Sequence, residues 1–201
     1  MFTIEQIRQS LATHQARTLS ADGKRQAAVA IVLRGSGPGP ELLFIERARH
    51  EGDPWSGHMA FPGGRVESAD RDSRRTAERE TQEEVGLSLA SAAYLGQLDD
   101  LEGRHAGRPA QMVISAHVYH LDEPARVVPN HEVQEVIWFP VAGLLEHDRQ
   151  VDYPVSNGAR FPGILVGRPE QHIVWGLTYR FVELLMRLLG NPIPERWIEQ
   201  R

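Results

Sequence analysis

The chain has 201 residues, 41% of them apolar, with 22 Lys and Arg against 27 Asp and Glu for a formal net charge of −5. That length accommodates one domain with terminal additions and buries a substantial core; the mild acidity argues against a nucleic-acid polymer as partner, and the absence of cysteine excludes disulfides, thiolate catalysis and Cys-ligated zinc or iron–sulfur sites. The longest apolar run, Ala27 to Leu33, has seven residues against the roughly 20 of a spanning helix, and the amino-terminal stretch around Glu5 lacks the apolar centre of a secretory signal, so no membrane is expected and the cytoplasm is the default compartment.

Ile4, Ile7 and Leu11 fall at helical spacing behind Thr3, a ready N-cap, and predict a helix over 3–17. Residues 18–25 are polar and read as a connection. Residues 26–33 are nearly all apolar and rich in β-branched side chains, the pattern of a buried strand. The stretch RGSGPGPE turns the chain, and 41–46 return as the second strand of a hairpin. Residues 47–65, punctuated by Gly52, Pro54, Gly57, Pro62, Gly63 and Gly64, read as irregular. The charged stretch 73–85 has no breaker before Gly86 and reads as a helix. Strands are expected over 94–98, over 111–120, where Met112, Ile114, Ala116 and Val118 alternate, and over 133–139, stopped by Pro140. Residues 141–171 are mixed. Ile173, Leu177, Phe181, Leu184, Leu185 and Leu188 form a stripe predicting a helix over 173–189, its apolar face suited to the core or to a homodimer interface. Helix, strands, helix, strands, helix is an α+β or α/β order with a mixed sheet.

The segment FPGGRVESADRDSRRTAERETQEEVGL, residues 61–87, carries the chemistry. Glu80, Glu83 and Glu84 sit at i, i+3 and i+4, within an arc of about 100° on one helix face. Like charges so placed repel. A cluster of carboxylate oxygens is what Mg²⁺ or Mn²⁺ takes as ligands, although the same spacing also describes a solvated acidic face. Gly63 and Gly64 permit a tight turn close to a ligand, and Arg79 is placed to pair with Asp70 or Glu67, fixing the loop against the helix.

In this order the residues resemble the Nudix hydrolase box, G-x5-E-x7-R-E-U-x-E-E-x-G-U, matched by Gly64, Arg79, Glu80, Glu83, Glu84, Gly86 and Leu87. Asp70 stands for the first Glu, eight residues separate it from Arg79, one more than the family spacing, and Thr81 replaces an aliphatic residue. The Asp, the longer spacing, the preceding FPGG and the late WGLT stretch are similar to the coenzyme A pyrophosphatase branch. The resemblance implies a single Nudix domain over 1–201, with a helical extension at 1–25, a core at 26–145 and a C-terminal region at 146–201, folded as an α/β/α sandwich whose box is loop–helix–loop. It implies metal-dependent hydrolysis of a nucleoside diphosphate linked to another moiety, with Mg²⁺ or Mn²⁺ on Glu80, Glu83 and Glu84. One of these, or an acid outside the box, would be the base. Arg79 would orient Glu80 or Glu84, and Gly63 and Gly64 would bring amides near the pyrophosphate. Coenzyme A or acyl-CoA is one implied substrate. NADH, ADP-ribose, a dinucleoside polyphosphate or a nucleoside triphosphate is another, because Trp55 stands where the branch has a His. A non-catalytic nucleotide-binding regulator should have lost one of the box acids, and all three are present.

Other residues are open to two readings. Glu132 or Glu135 could be an extra ligand or base, as near here in some family members, or a plain exposed acid. Asp99, Asp100 and Glu102 make an acidic turn, solvated or metal-binding. Arg47, Arg49 and Arg65 suit phosphate through their forked donors, and Arg47 corresponds to an Arg of the branch. His58 is a substrate contact or a loop histidine, Trp55 a base-stacking ring or a core cap, and Trp175 a packing residue.

Overall fold

The computed structural model describes residues 2–35, 39–52, 55–105, 108–123, 125–155 and 158–194; the tip of the first hairpin at 36–38 and the tail from 195 lie outside the described residues. The first helix, α1 (Ile4–Thr13), starts at the expected cap: the Thr3 hydroxyl accepts from the Gln6 amide and the Gln6 side chain accepts from the Thr3 amide. It ends four residues before the expected 17, because the chain beyond His14 is drawn away by Asp99 and Asp100. Their carboxylates accept from the Arg17 and Leu19 amides, both at 2.9 Å. These two acids are therefore tethers of the N-terminal segment, and Glu102 pairs with Lys24 at 2.8 Å. The stretch from Leu101 is also a strand rather than a turn.

The main sheet contains β1 (Arg25–Arg34), β2 (Glu41–Arg47), β3 (Met59–Ala60), β4 (Gly63–Arg65), β5 (Ala93–Gln97), β6 (Leu101–His105), β7 (Arg108–Leu121) and β8 (Val133–Pro140). Its central order is β3-β2-β1-β7-β5, with β4 on β1, β6 on β7 and β8 on β2. The β1–β7 pair is parallel and the others are antiparallel, so the sheet is mixed. Two of these strands, β3 and β4, lie in the span expected to be irregular; they are too short to show a period in sequence.

The unbroken apolar runs of β1 and β2 have the expected cause, burial on both faces. Ala28, Ala30, Val32, Leu43 and Ile45 face the helix α2 (Ser73–Val85), joining its Ala77 and Val85. Ile31, Leu33, Leu42 and Phe44 point the other way into a larger core with Ile7 and Leu11 of α1. That core also takes Phe181, Val182, Leu185 and Met186 of the last helix, α3 (Gly176–Leu188). Helices thus cover both faces of a mixed sheet. The stripe of α3 is used by this core, with Leu177, Leu184 and Leu188 partly buried against it.

Residues 150–175 form a second, antiparallel sheet of β9 (Gln150–Pro154), β10 (Arg160–Leu165) and β11 (Ile173–Trp175). The last helix therefore begins at Gly176 rather than 173. Ile173 and Val174 are β-branched residues paired with Leu165 and Ile164, and Gly176, at φ +62°, makes the break that no side chain adopts easily. No helix among the described residues is long and apolar enough to cross a membrane.

Candidate active site around the acidic helix

Helix α2 starts at Asp72, whose carboxylate accepts from the Arg75 amide at 2.8 Å, and ends at Gly86 in the left-handed conformation, φ +67°. Its three clustered acids fall in the second half, where the helix dipole disfavours negative charge, and no basic residue lies in the last turn. Their environments differ. Glu84 is 2% exposed, and the side chains of Glu80 and Glu83 are 16% and 54% exposed.

Arg79 organises the loop before the helix. Its Nε and Nη2 donate to the two oxygens of Asp70 at 3.1 and 2.9 Å, a bidentate fork, and Nη2 also donates to the Arg65 carbonyl. Its Nη1 donates to Glu80 at 2.9 Å and Glu83 at 3.1 Å. Asp70 further accepts from the Glu67 amide and the Thr76 hydroxyl. The shorter acid and longer spacing therefore close the same loop that an Arg pairing with Asp70 or Glu67 was expected to close, with Asp70 the direct partner and Glu67 at 3.9 Å. Arg79 orients Glu80 and Glu83. Glu84 is held differently, by the Gly63 amide at 2.8 Å.

Both glycines are required by close approach. A Cβ on Gly64 would lie 2.3 Å from a Glu80 oxygen, and one on Gly63 would lie 2.3 Å from the Ala28 carbonyl. The Gly63 amide, expected near the pyrophosphate, is taken up by Glu84, and both residues are paired in register with β1. Gly64 leaves room for the Glu80 carboxylate, and Gly63 lets β4 approach β1 closely while its amide holds Glu84.

The charges do not balance. Burial is the largest effect on Glu84 and, against the Gly63 hydrogen bond, pushes its carboxyl up to about 8; Glu80 and Glu132 add repulsion, and Arg47 offsets part of it. Burial also raises Glu80, opposed by Arg79 and reinforced by Glu83 and Glu132. Asp70 moves the other way, held well below the usual carboxylate range chiefly by its hydrogen bonds from Arg79. An all-oxygen donor set whose burial makes a carboxylate hard to ionise, with neighbouring acids adding to the effect, fits a hard divalent cation.

The remaining candidates separate. Glu132 is exposed, and its charge acts on both Glu80 and Glu84. Arg47, whose charge acts on Glu84, has its backbone tied to Gly57 and His58. Arg65 lends the site its carbonyl, and its side chain is exposed. Trp55 is 48% exposed and caps no core. Glu135 lies elsewhere, with Glu46 and His172. Among the described residues these three form a group whose donor atoms fall within 4.8 Å of one another. They could hold a metal, but the Arg168 guanidinium already sits among them, bonded to Glu135 and 3.2 Å from His172 Nε2. Glu46, 1% exposed, accepts from Gln171 at 2.8 Å. Sequence reasoning missed this cluster and the aromatic group of His58, Tyr153 and Trp175 nearby. The one signal was an acid, Glu46, closing the apolar run LLFI.

Comparison with known proteins places this geometry. The NUDIX domain model matches residues 23–157. The mitochondrial coenzyme A diphosphatase NUDT8 is similar in both Mus musculus, 33% identical over 87% of this chain and 84% of that protein, and Homo sapiens, 36% identical over 82% of this chain and 69% of that protein. An uncharacterised protein of Schizosaccharomyces pombe is 37% identical over 59% of this chain, which spans 37% of that protein's length. The crystal structure of a MutT/nudix family protein from Enterococcus faecalis superposes with a TM-score of 0.53 at 14% identity, covering 94% of this chain and 75% of that one, a likeness of fold. With the acidic helix, its Arg79 clamp and the family model spanning most of the chain, the protein belongs to the Nudix hydrolases, a pyrophosphatase-type enzyme family.

Proposed function

We propose that this enzyme hydrolyses the pyrophosphate of coenzyme A or acyl-CoA, giving 3′,5′-ADP and 4′-phosphopantetheine or its acyl form. The observation that carries the substrate is likeness to the coenzyme A diphosphatases over more than 80% of the chain, well past the box. Trp55, in place of the His of the coenzyme A pattern, supports a second reading, another nucleoside diphosphate derivative such as NADH or ADP-ribose.

Glu80, Glu83 and Glu84 would hold a Mg²⁺ or Mn²⁺ ion, which would supply charge neutralisation at the pyrophosphate and orientation of water. Arg79 acts through the acids it holds, setting Glu80 and Glu83 while Gly63 sets Glu84. Water oxygen bonds to one phosphorus as the bridging P–O bond breaks, the bridging oxygen leaves with the other phosphate, and the water proton passes to a carboxylate. Glu132, an exposed acid outside the helix, would be the added acid for ligation or for that proton. Arg47, whose charge acts on Glu84, and the exposed Arg65 would meet phosphate oxygens through their forked donors.

A screen with Mg²⁺ or Mn²⁺ against coenzyme A, NADH, ADP-ribose, diadenosine polyphosphates and nucleoside triphosphates, products identified by mass, tests this. Release of 3′,5′-ADP from coenzyme A is the expected result. Cleavage of another compound with coenzyme A untouched replaces the substrate and keeps the chemistry.

A further inference from the structure

Between the connection from β2 to β3 and the second sheet lies a pocket that the hydrolytic chemistry does not use. Its walls include Arg49, His58, Tyr153, Glu170, Gln171 and Trp175, and its volume is about 140 Å³. Pockets that take whole ligands run to about 300–1,000 Å³, so this one takes part of a ligand. Tyr153 and Trp175 stack with centroids 4.2 Å apart and planes 10° apart, and His58 stands edge-on to both. Tyr153 is tied to His58 through its hydroxyl at 3.3 Å. Two of the exposed large apolar residues flank the pocket: Trp55 next to its wall residue Ser56, and Phe161 5.9 Å from Trp175. A rigid aromatic platform with exposed rings at its edge suits a planar ring.

The polar groups narrow the ring. Gln171 spends its amide nitrogen on buried Glu46, which leaves its carbonyl oxygen as an acceptor. Glu170 adds a carboxylate and is held at φ +62°, a conformation that is uncommon for a residue with a long side chain. Arg49 adds a fork of donors. Among the described residues, neither Glu170 nor Arg49 makes an ion pair, although both line one pocket. Acceptors beside a stacking platform fit an exocyclic ring amine, and an unpaired Arg fits a phosphate. Arg47 links the pocket to the hydrolytic site: its backbone bonds the wall residues Gly57 and His58, and its charge acts on Glu84.

We propose that this pocket binds the aminopurine nucleotide end of the substrate, with Tyr153 and Trp175 as the stacking platform, Glu170 and Gln171 facing the ring amine, and Arg49 reading a ribose phosphate. The choice of a 3′-phosphorylated adenosine rests on the coenzyme A reading above. The pocket thereby separates coenzyme A from dephospho-coenzyme A.

The test is titration of the full chain with adenosine 3′,5′-bisphosphate and with AMP, for the parent and for Arg49→Ala and Glu170→Gln, both surface changes. The bisphosphate should bind about tenfold more tightly than AMP, the size of one charge-assisted contact, and Arg49→Ala should erase that difference. Glu170→Gln should weaken both ligands. Saturable binding of neither ligand, or equal affinities that Arg49→Ala leaves unchanged, overturns the proposal. The same proteins are then assayed for turnover of coenzyme A and dephospho-coenzyme A. Bisphosphate binding that depends on Arg49 without coenzyme A cleavage rejects the substrate reading and keeps the pocket. Cleavage with a coenzyme A preference indifferent to Arg49→Ala keeps the substrate reading and rejects the pocket.

Discussion

Among the described residues two acid clusters each have an arginine at the centre, and the tighter of them is not the one with the harder carboxyl to ionise. Around Arg168, two carboxylates, Glu46 and Glu135, meet one guanidinium, the Gln171 amide and His172. Around Arg79, one guanidinium serves Asp70, Glu80 and Glu83, while Glu84 lies buried beyond its reach on a single backbone amide. The first cluster is the tighter by distance. The second is the one whose buried carboxyl is pushed up to about 8. A protein cation can occupy a compact donor set that by shape alone suits a metal, even though one buried Glu46 oxygen there makes no hydrogen bond, with Arg168 3.9 Å away.

The sharpest way to break this contrast is to remove one acid from each cluster. Glu84→Gln should cost on the order of 10²–10³ in kcat, the range for losing one preorganised electrostatic group, while Glu135→Gln stays within about twofold. Steady-state kinetics on both proteins decides it, and comparable losses would mean the two clusters share the chemistry. Gly64→Ala comes next. The new methyl must displace Glu80, so turnover should fall about 10²-fold for a shift near 1 Å, with the fold retained by circular dichroism.

The charge imbalance also predicts a pH dependence. Glu84 in the folded, metal-free protein keeps its proton up to about 8, whereas the unfolded chain releases it near 4.5. Below that window both states are protonated and no cost arises. As pH rises through it, stability should fall by on the order of 3–5 kcal/mol, read as a falling Tm. Glu84→Gln should flatten that slope, and added Mg²⁺ or Mn²⁺ should raise Tm most at the alkaline end. A melting curve indifferent to both would remove the imbalance as an argument for a metal. The smallest effect is expected at the Arg168 cluster. Arg168 is 59% exposed, so Arg168→Ala should cost about 1 kcal/mol, a Tm shift of about 2–4 °C.

Much of the fold was legible because the relevant forces are local or periodic. Thr3 and Gln6 at capping-box spacing, Gly86 at a helix end and unbroken apolar runs in β1 and β2 each carry their cause within a few residues. The break at Gly176 was less legible: Ile173 and Val174 continue the apolar stripe of α3, and only pairing with β10 makes them a strand. Asp99 and Asp100 likewise looked like a solvated turn, because the amides they bind lie about 80 residues earlier.

For the candidate site, spacing along one helix determined that Glu80, Glu83 and Glu84 share a face and that Arg79 stands beside them, since helical geometry converts sequence separation into angle. Which acid is buried was decided only by the tertiary structure. Glu84 sinks to 2% exposure against the Gly63 amide of β4, and of the two later acids it is Glu132, just before β8, whose charge acts on Glu84, while Glu135 within β8 pairs with Arg168. Burial and opposing charge depend on what folds over a residue from distant parts of the chain, and no local pattern encodes that.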